Sequence, residues 1–251
     1  MKIQTAMISV FDKTGVVGLA QELSELGVQI YSTGGTGRLL RANDVALVTA
    51  EELIARSTLK RTKDVLRRIG MLEKIEAEIS PEEFGEAVAH VGRDMFDDRV
   101  KTLRDQMHGM LMADVSVQSH VDDLEDLGVD PIDLLVVNLY PLKSLEGTAP
   151  SLAQILEKTD IGGPAMLRSA AKGLRLEVCD PADYRRVLTA IKIDAVTEEL
   201  VYELNAKAEA TIADYCLASA RFRSEGAWDG FIGRRMFTCK YGENADQSPA
   251  G

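Results

Sequence analysis

The chain has 251 residues, 45% of them hydrophobic, and a formal net charge of −11, enough for one large domain or one and a half with a substantial core. The acidic balance argues against general nucleic-acid binding, which needs basic surface to neutralise phosphates. No apolar run approaches the length of a membrane span and residues 1–6 lack a signal-peptide pattern, so we expect a cytoplasmic protein without a membrane partner.

The N-terminal part of the chain alternates between strand and helix patterns. Residues 6–11 form a short apolar run that predicts a buried strand, and residues 15–26 carry apolar side chains at helical spacing. Residues 28–31 predict a second strand, which is followed by a helix up to about Ala42. Strands that alternate with helices indicate an α/β fold with a parallel sheet.

Two later segments continue this alternation and two do not. Residues 134–140 are apolar almost throughout, as a central parallel strand should be, and residues 174–179 predict another strand. Residues 51–93 are rich in charge and helix formers, so they predict a helical insertion, with a break near Ser80-Pro81. Residues 197–223 predict one long amphipathic helix that packs on the domain or on a subunit partner.

Two polar loops follow the first two predicted strands. Hydroxyls, glycine amides and a lysine are the groups that hold a phosphate dianion, and a helix N-terminus adds its dipole. Ser and Thr are also common helix caps, but two neighbouring loops of this composition favour a phosphate site. Neither loop matches a Walker A or dinucleotide motif, so we expect no ATP or dinucleotide cofactor. The candidate phosphate-binding residues are Ser9, Lys13, Thr14, Ser32, Gly34, Gly35 and Thr36.

Three further segments carry polar groups next to apolar runs. Residues 99–103 interleave Arg and Lys with apolar residues, so both cations would point to one side of a strand. Residues 138–141 end the most buried strand with an asparagine and a tyrosine. In residues 159–172, an acidic residue and two glycines precede an apparent helix that ends near a lysine. This last pattern is typical either of a plain turn or of an anion-binding helix N-terminus.

Taken together and in order, these motifs resemble the N-terminal IMP cyclohydrolase domain of the bifunctional enzyme AICAR transformylase/IMP cyclohydrolase, the PurH family. The resemblance covers roughly residues 5–235 apart from the insertion. The motifs that carry it are Ser-x-x-Asp-Lys-Thr-Gly at 9–15, Ser-Thr-Gly-Gly-Thr at 32–36, Arg-Val-Lys-Thr-Leu at 99–103, Asn-Leu-Tyr-Pro at 138–141, Asp-Ile-Gly-Gly at 160–163 and Arg-Ser-Ala-Ala-Lys at 168–172.

The resemblance implies a three-layer, methylglyoxal-synthase-like α/β fold and ring closure of FAICAR to IMP with release of water. It implies no metal or organic cofactor, and the three histidines likewise show no metal-ligand spacing. The family is usually a homodimer. By resemblance, the reacting end of the site would contain Lys101, Tyr140, Asp160 and Lys172. The other substrate-binding residues would be the phosphate-binding set together with Arg99, Thr102, Asn138, Gly162 and Gly163.

The chain also departs from the family pattern. Phe11 replaces a small polar residue in the first phosphate loop, and the family's His-Pro turn after the lysine of Arg-Val-Lys-Thr-Leu is replaced by Arg104-Asp105. The insertion lies immediately before Arg99, and Gly173-Leu174 stands where the family has Asn-His. We therefore expect an altered path for the loop that follows Lys101.

Residues 240–247 resemble the start of the family's transformylase domain, so we interpret residues 1–235 as the cyclohydrolase-like domain and 236–251 as a tail. Three functions stay open at this point. The chain is an IMP cyclohydrolase, a non-catalytic purine-nucleotide-binding module, or a structural partner of a separate AICAR transformylase domain or subunit. The joint presence of two lysines and an aspartate at the reacting end favours the enzyme.

Overall fold

A computed structural model describes residues 1–92, 100, 102–145, 148 and 150–235 of the chain. Its centre is a five-stranded, all-parallel sheet with the strand order β3-β2-β1-β4-β5. The strands are β1 (Thr5–Val10), β2 (Gln29–Ser32), β3 (Val48–Thr49), β4 (Leu134–Asn138) and β5 (Leu176–Val178). The helices are α1 (Val16–Glu25), α2 (Gly34–Arg41), α3 (Ala50–Arg68), α4 (Leu72–Glu78), α5 (Pro81–Gly92), α6 (Asp105–Met112), α7 (Gln118–Leu127), α8 (Leu152–Glu157), α9 (Gly162–Lys172), α10 (Tyr184–Lys192) and α11 (Glu198–Arg223).

The sheet is the middle of three layers, because successive side chains of a strand point to opposite faces. Ala6 and Ile8 of β1 belong to a core with α1, α2 and α10, whereas Met7 belongs to a second core with α3, α6, α7 and α9. The long helix α11 contributes Leu204 to the first core and Ala208 to the second. The predicted three-layer α/β fold with a long C-terminal helix is therefore confirmed.

Helices α3, α4 and α5 occupy the segment predicted as a helical insertion. Thr49 begins α3 with a capping box, since its hydroxyl accepts from the Glu52 N–H while the Glu52 carboxylate accepts from the Thr49 N–H. The break falls at Ser80, and Pro81 starts α5, where its missing N–H costs nothing. Leu53 is buried against the sheet, while Val65 in the last turns of α3 is exposed.

Within the sheet, β2 and β3 lie next to β1 in one direction, and β4 and β5 lie next to β1 in the opposite direction. The order of the strands therefore reverses between β1 and β4, where Val10 pairs with Asn138. Ligands of open parallel sheets bind in the crevice that such a reversal leaves at the carboxyl ends of the strands. The loops after β1, β2 and β4 all leave the sheet at this edge.

One sequence-based prediction is wrong for the residues that the structure describes. Val100 and residues 102–104 form turns and bends rather than part of a strand. The Leu103 N–H donates to the Val100 carbonyl at 3.0 Å, which closes a turn, and α6 begins at Asp105 directly afterwards. Arg99, Lys101 and the tail at 236–251 lie outside the described residues.

Candidate functional site

A cavity of about 160 Å³ opens at the crevice between β1 and β4. Six residues that the sequence predicted for the site line this cavity, and they come from four separate segments of the chain. They are Ser9, Thr102, Asn138, Tyr140, Asp160 and Gly163. Val10, Phe11 and Met166 complete the lining. The fold therefore brings these distant motifs together at one edge of the sheet.

Asp160 lies just before α9 and is held from two sides. Its Oδ1 accepts from the Gly163 N–H at 3.0 Å, and its own main-chain N–H donates to the Tyr215 hydroxyl at 2.6 Å. That hydroxyl in turn donates to the Lys158 carbonyl at 3.0 Å. Burial raises the pKa of Asp160, while the Gly162 and Gly163 amides act in the opposite direction. A raised pKa means that this carboxyl group holds a proton more readily than an exposed aspartate does.

The two glycines that begin α9 are required by close packing. A Cβ atom on Gly162 would lie 2.1 Å from Thr102 Oγ1, and one on Gly163 would lie 2.5 Å from Asp160 Oδ2 and 2.8 Å from Leu139 Cδ2. Both distances to oxygen are shorter than any real carbon contact. The first turn of α9 is therefore pressed against the carboxyl group and the segment that contains Thr102.

Asn138 at the end of β4 organises the loop that follows β1. Its Oδ1 accepts from the Phe11 N–H at 2.6 Å and the Asp12 N–H at 2.9 Å, and its Nδ2 donates to the Asp12 carbonyl at 2.9 Å. Next to this loop the Phe11 and Tyr140 rings pack together, with centroids 4.7 Å apart and an angle of 46° between their planes. Asn138 thus fixes the backbone from which Phe11 projects.

Hydrogen bonds join the two predicted phosphate loops to each other. Ser9 Oγ and Thr33 Oγ1 are 2.6 Å apart, so one hydroxyl donates to the other. Thr36 Oγ1 accepts from the Val10 N–H at 3.1 Å and from Lys13 Nζ at 2.9 Å, and it lies 3.0 Å from the Val10 carbonyl, to which it donates. Lys13 Nζ also donates to that carbonyl. Burial lowers the pKa of Lys13, and the neighbouring Asp12 opposes this effect.

The remaining predicted phosphate-binding residues differ in their accessibility. Ser32 is buried and donates to the Ile8 carbonyl at 2.7 Å, while the exposed Thr14 donates from its hydroxyl to Asp12 Oδ1 at 2.6 Å. Gly34 and Gly35 form the first turn of α2, and Gly34 adopts a φ of 46°, which favours glycine. The amides at this helix N-terminus face the same edge of the sheet as Lys13.

The structure does not bring Lys172 to the reacting end proposed from the resemblance. Asp160 precedes the N-terminus of α9, and Lys172 is the exposed last residue of that helix. A rise of about 1.5 Å per residue puts Lys172 about 15 Å along the axis from Gly162. A straight helix cannot present both ends to one cavity of this size.

Sequence reasoning missed two residues that support the site. Tyr215 lies on the buried face of α11 together with Ala208 and Ile212, and nothing in its helical spacing distinguishes it from a packing residue. His108 Nδ1 is 2.8 Å from Ser169 Oγ, and the imidazole also bonds to the Thr102 backbone, while burial lowers its pKa. His108 therefore ties α6 and α9 to the segment that lines the cavity.

In the part of the chain that the structure describes, no group of three or more His, Cys, Asp and Glu side chains is arranged to hold a metal ion. Among the same residues, no helix has both the length and the apolar character needed to cross a bilayer.

A five-stranded parallel sheet with polar loops at its strand reversal places the chain in the class of α/β domains with a site at the carboxyl ends of the strands. The chain belongs to the MGS-like domain family, whose model matches residues 15–165. Among individual proteins, it is similar to the "Bifunctional purine biosynthesis protein PurH" of Macrococcus caseolyticus, at 33% identity over 249 residues. It is equally similar to the protein of that name from Mesorhizobium japonicum, at 33% identity over 256 residues.

Each alignment covers 98% of this chain, and the chain spans 41% of the length of these curated relatives. A solved structure described as the crystal structure of ForH superposes with a TM-score of 0.66 at 26% identity, over 88% of this chain and 100% of that one. These matches confirm the resemblance and the fold that it implies.

Proposed function

We propose that this chain is an IMP cyclohydrolase, which closes the six-membered ring of FAICAR to give IMP and water. The observation that carries the proposal is the Asp160 carboxyl group, held at the N-terminus of α9 in one cavity with the Tyr140 side chain and the end of β1. The names of the PurH relatives support a role in purine biosynthesis.

Ring closure requires proton transfer at two nitrogens and one oxygen. The carboxamide nitrogen attacks the formyl carbon and forms the new C–N bond, while the formyl oxygen becomes a hydroxyl group. One proton from the carboxamide nitrogen and one from the formamide nitrogen then leave with that oxygen as water. No atom changes its oxidation state overall, so side chains that accept and donate protons suffice.

Asp160 suits the role of the group that accepts the carboxamide proton, because burial favours its protonated form. The Tyr140 hydroxyl would donate a hydrogen bond to the oxygen that develops charge, and the positive end of the α9 dipole would stabilise the same charge. Lys101 remains a predicted charge-stabilising and proton-transfer residue. The distance between the two ends of α9 argues against the same role for Lys172 in this cavity.

The phosphate group would bind at the loops after β1 and β2. Lys13 supplies a positive charge, Ser9 a hydroxyl group, and the first turn of α2 free amides. Lys13 Nζ now donates to Thr36 Oγ1 and the Val10 carbonyl, so binding would redirect these donors to the phosphate oxygens. We also propose that the chain forms a homodimer and that it associates with an AICAR transformylase domain or subunit.

The test is to mix the purified chain with FAICAR and to follow IMP formation by its ultraviolet absorbance. We expect turnover without added metal or cofactor, and chelation of metals should leave the rate unchanged. Tight IMP binding without turnover would contradict the enzyme and support the non-catalytic module. Sedimentation of the chain alone, and of the chain mixed with an AICAR transformylase domain, tests the expected assembly.

A further inference from the structure

Phe11 and Tyr140 form an exposed aromatic pair at the rim of the cavity. Their exposed fractions are 47% and 43%, although their rings pack at a centroid distance of 4.7 Å. Single exposed apolar residues are common on protein surfaces. Two neighbouring exposed rings are different when both line a cavity that contains a half-buried carboxyl group, because such a pair is typical of a surface that covers a ligand.

The backbone beneath Phe11 is fixed before any ligand binds. Asn138 accepts hydrogen bonds from the N–H groups of Phe11 and Asp12 and donates to the Asp12 carbonyl, so the loop has little freedom to turn the ring away. Asn138 is itself buried at the end of the central strand β4. A ring presented in this way loses little conformational entropy on binding, which favours its use as a recognition surface.

We propose that Phe11 is a specificity-determining residue that stacks on the aromatic heterocycle of the bound nucleotide. Phe11 lines the same cavity as Asp160 and lies two residues before Lys13 in the loop after β1. A nucleotide with its phosphate at Lys13 and its reacting groups at Asp160 therefore passes over this ring. The inference rests on the proposed function for the identity of the ligand, and the Tyr140 ring packs against the Phe11 ring.

Two cavities share the aromatic pair, and their lining residues favour one of them as the site of the nucleotide. A second cavity, of about 470 Å³, is also lined by Phe11 and Tyr140. The charged side chains that line it are Asp12 and Asp214, which repel a phosphate group. The smaller cavity is lined by Ser9, which the proposed function assigns to the phosphate, and by Asp160, which it assigns to the reacting end, so the heterocycle binds there.

Calorimetric titration with two ligands separates stacking from phosphate binding. IMP contains the heterocycle, whereas ribose 5-phosphate retains the phosphate and sugar alone. Stacking of a base on an aromatic side chain contributes about 1–3 kcal/mol, so Phe11→Leu should weaken IMP binding by about 5-fold to about 150-fold. Ribose 5-phosphate should bind this variant as it binds the unaltered chain, and Phe11→Tyr should retain the IMP affinity.

Phe231→Leu is the matched control, because Phe231 is 89% exposed in the segment after α11 and should not affect either ligand. An equal loss of affinity for IMP and ribose 5-phosphate in Phe11→Leu would show that the ring only shapes the phosphate loop, and would overturn the inference. Unchanged IMP affinity, or failure of the unaltered chain to bind IMP, would overturn it as well. FAICAR turnover is measured separately, so ring-dependent IMP binding without turnover would overturn the proposed function alone.

Discussion

Two carboxyl groups on the same side of the sheet, the half-buried Asp160 and the buried Glu177, both have a raised pKa. Asp160 borders a cavity and accepts from the Gly163 amide. Glu177, in β5, is fully buried under α11, and its Oε2 has no hydrogen-bond partner among the described residues. The Asn205 amide nitrogen, oriented to satisfy its neighbours, donates to Glu177 Oε1 at 3.1 Å.

The two carboxyl groups differ in whether a substrate can reach them. Burial, together with the nearby Glu209, raises the pKa of Glu177 to about 9, yet no substrate reaches that carboxyl group. At Asp160, two backbone amides oppose the effect of burial, and the carboxyl group remains open to the cavity. A perturbed pKa therefore indicates a functional group only when geometry supplies a place for the reacting molecule.

Replacing each carboxyl group by its amide gives the largest expected contrast. Asp160→Asn retains an oxygen that accepts from the Gly163 N–H but cannot accept the carboxamide proton, so FAICAR turnover should fall by about 100-fold to about 10,000-fold. Glu177→Gln should retain turnover within about 3-fold, because it is a polar replacement remote from the cavity. Steady-state kinetics measure both, with circular dichroism as the check on folding. Comparable losses in the two variants would contradict the distinction between the carboxyl groups.

Tyr215→Phe tests whether the accessible carboxyl group depends on its support from α11. The substitution removes a hydroxyl that accepts from the Asp160 N–H and donates to the Lys158 carbonyl, which leaves two backbone groups unpaired. We expect the free energy of unfolding to fall by about 1–3 kcal/mol. We also expect a fall in kcat of roughly 10-fold with little change in KM, since misplacing a reacting group affects the chemical step. Urea denaturation and kinetics at saturating FAICAR provide the measurements, and a change confined to KM would argue against a positioning role.

The distribution of these residues explains what the sequence could and could not predict. Asn138 could be predicted because polar residues that follow apolar strands gather at one edge of a parallel sheet, and Asp160 because an acidic residue and two glycines precede a helix. Tyr215 could not be predicted, since its partner lies 55 residues away along the chain and its helical spacing resembles that of ordinary packing residues. Alternating residues at 99–103 predicted a strand, which is wrong for Val100, Thr102 and Leu103, because α6 starts at Asp105 and a turn joins Leu103 to Val100.

The sealed carboxyl group should make stability depend on pH. An unfolded glutamate ionises at about pH 4.3, whereas Glu177 in the folded chain retains its proton up to about pH 9. Between these values the folded state binds more protons than the unfolded state, so the free energy of unfolding falls as pH rises. Glu177→Gln removes this contribution and should be more stable than the unaltered chain by about 1 kcal/mol or more at pH 8.5, with little difference at pH 4.5. Urea denaturation at the two pH values measures the effect, and an equal difference at both would contradict it.

Lys172→Gln should have the smallest effect on turnover. Lys172 is exposed in the last turn of α9, where a positive charge interacts favourably with the helix dipole, so its loss should cost about 0.3–1 kcal/mol of stability. FAICAR turnover should stay within about 2-fold, because a side chain at this end of an 11-residue helix does not reach the cavity at the other end. Kinetics and urea denaturation on the same preparation separate the two effects. A loss of turnover as large as that of Asp160→Asn, with stability retained, would contradict this placement and would mean that Lys172 enters the site of its own subunit or of another. Mixing the Lys172→Gln and Asp160→Asn chains would then restore activity in a homodimer, whereas an inactive mixture would leave each site to its own subunit.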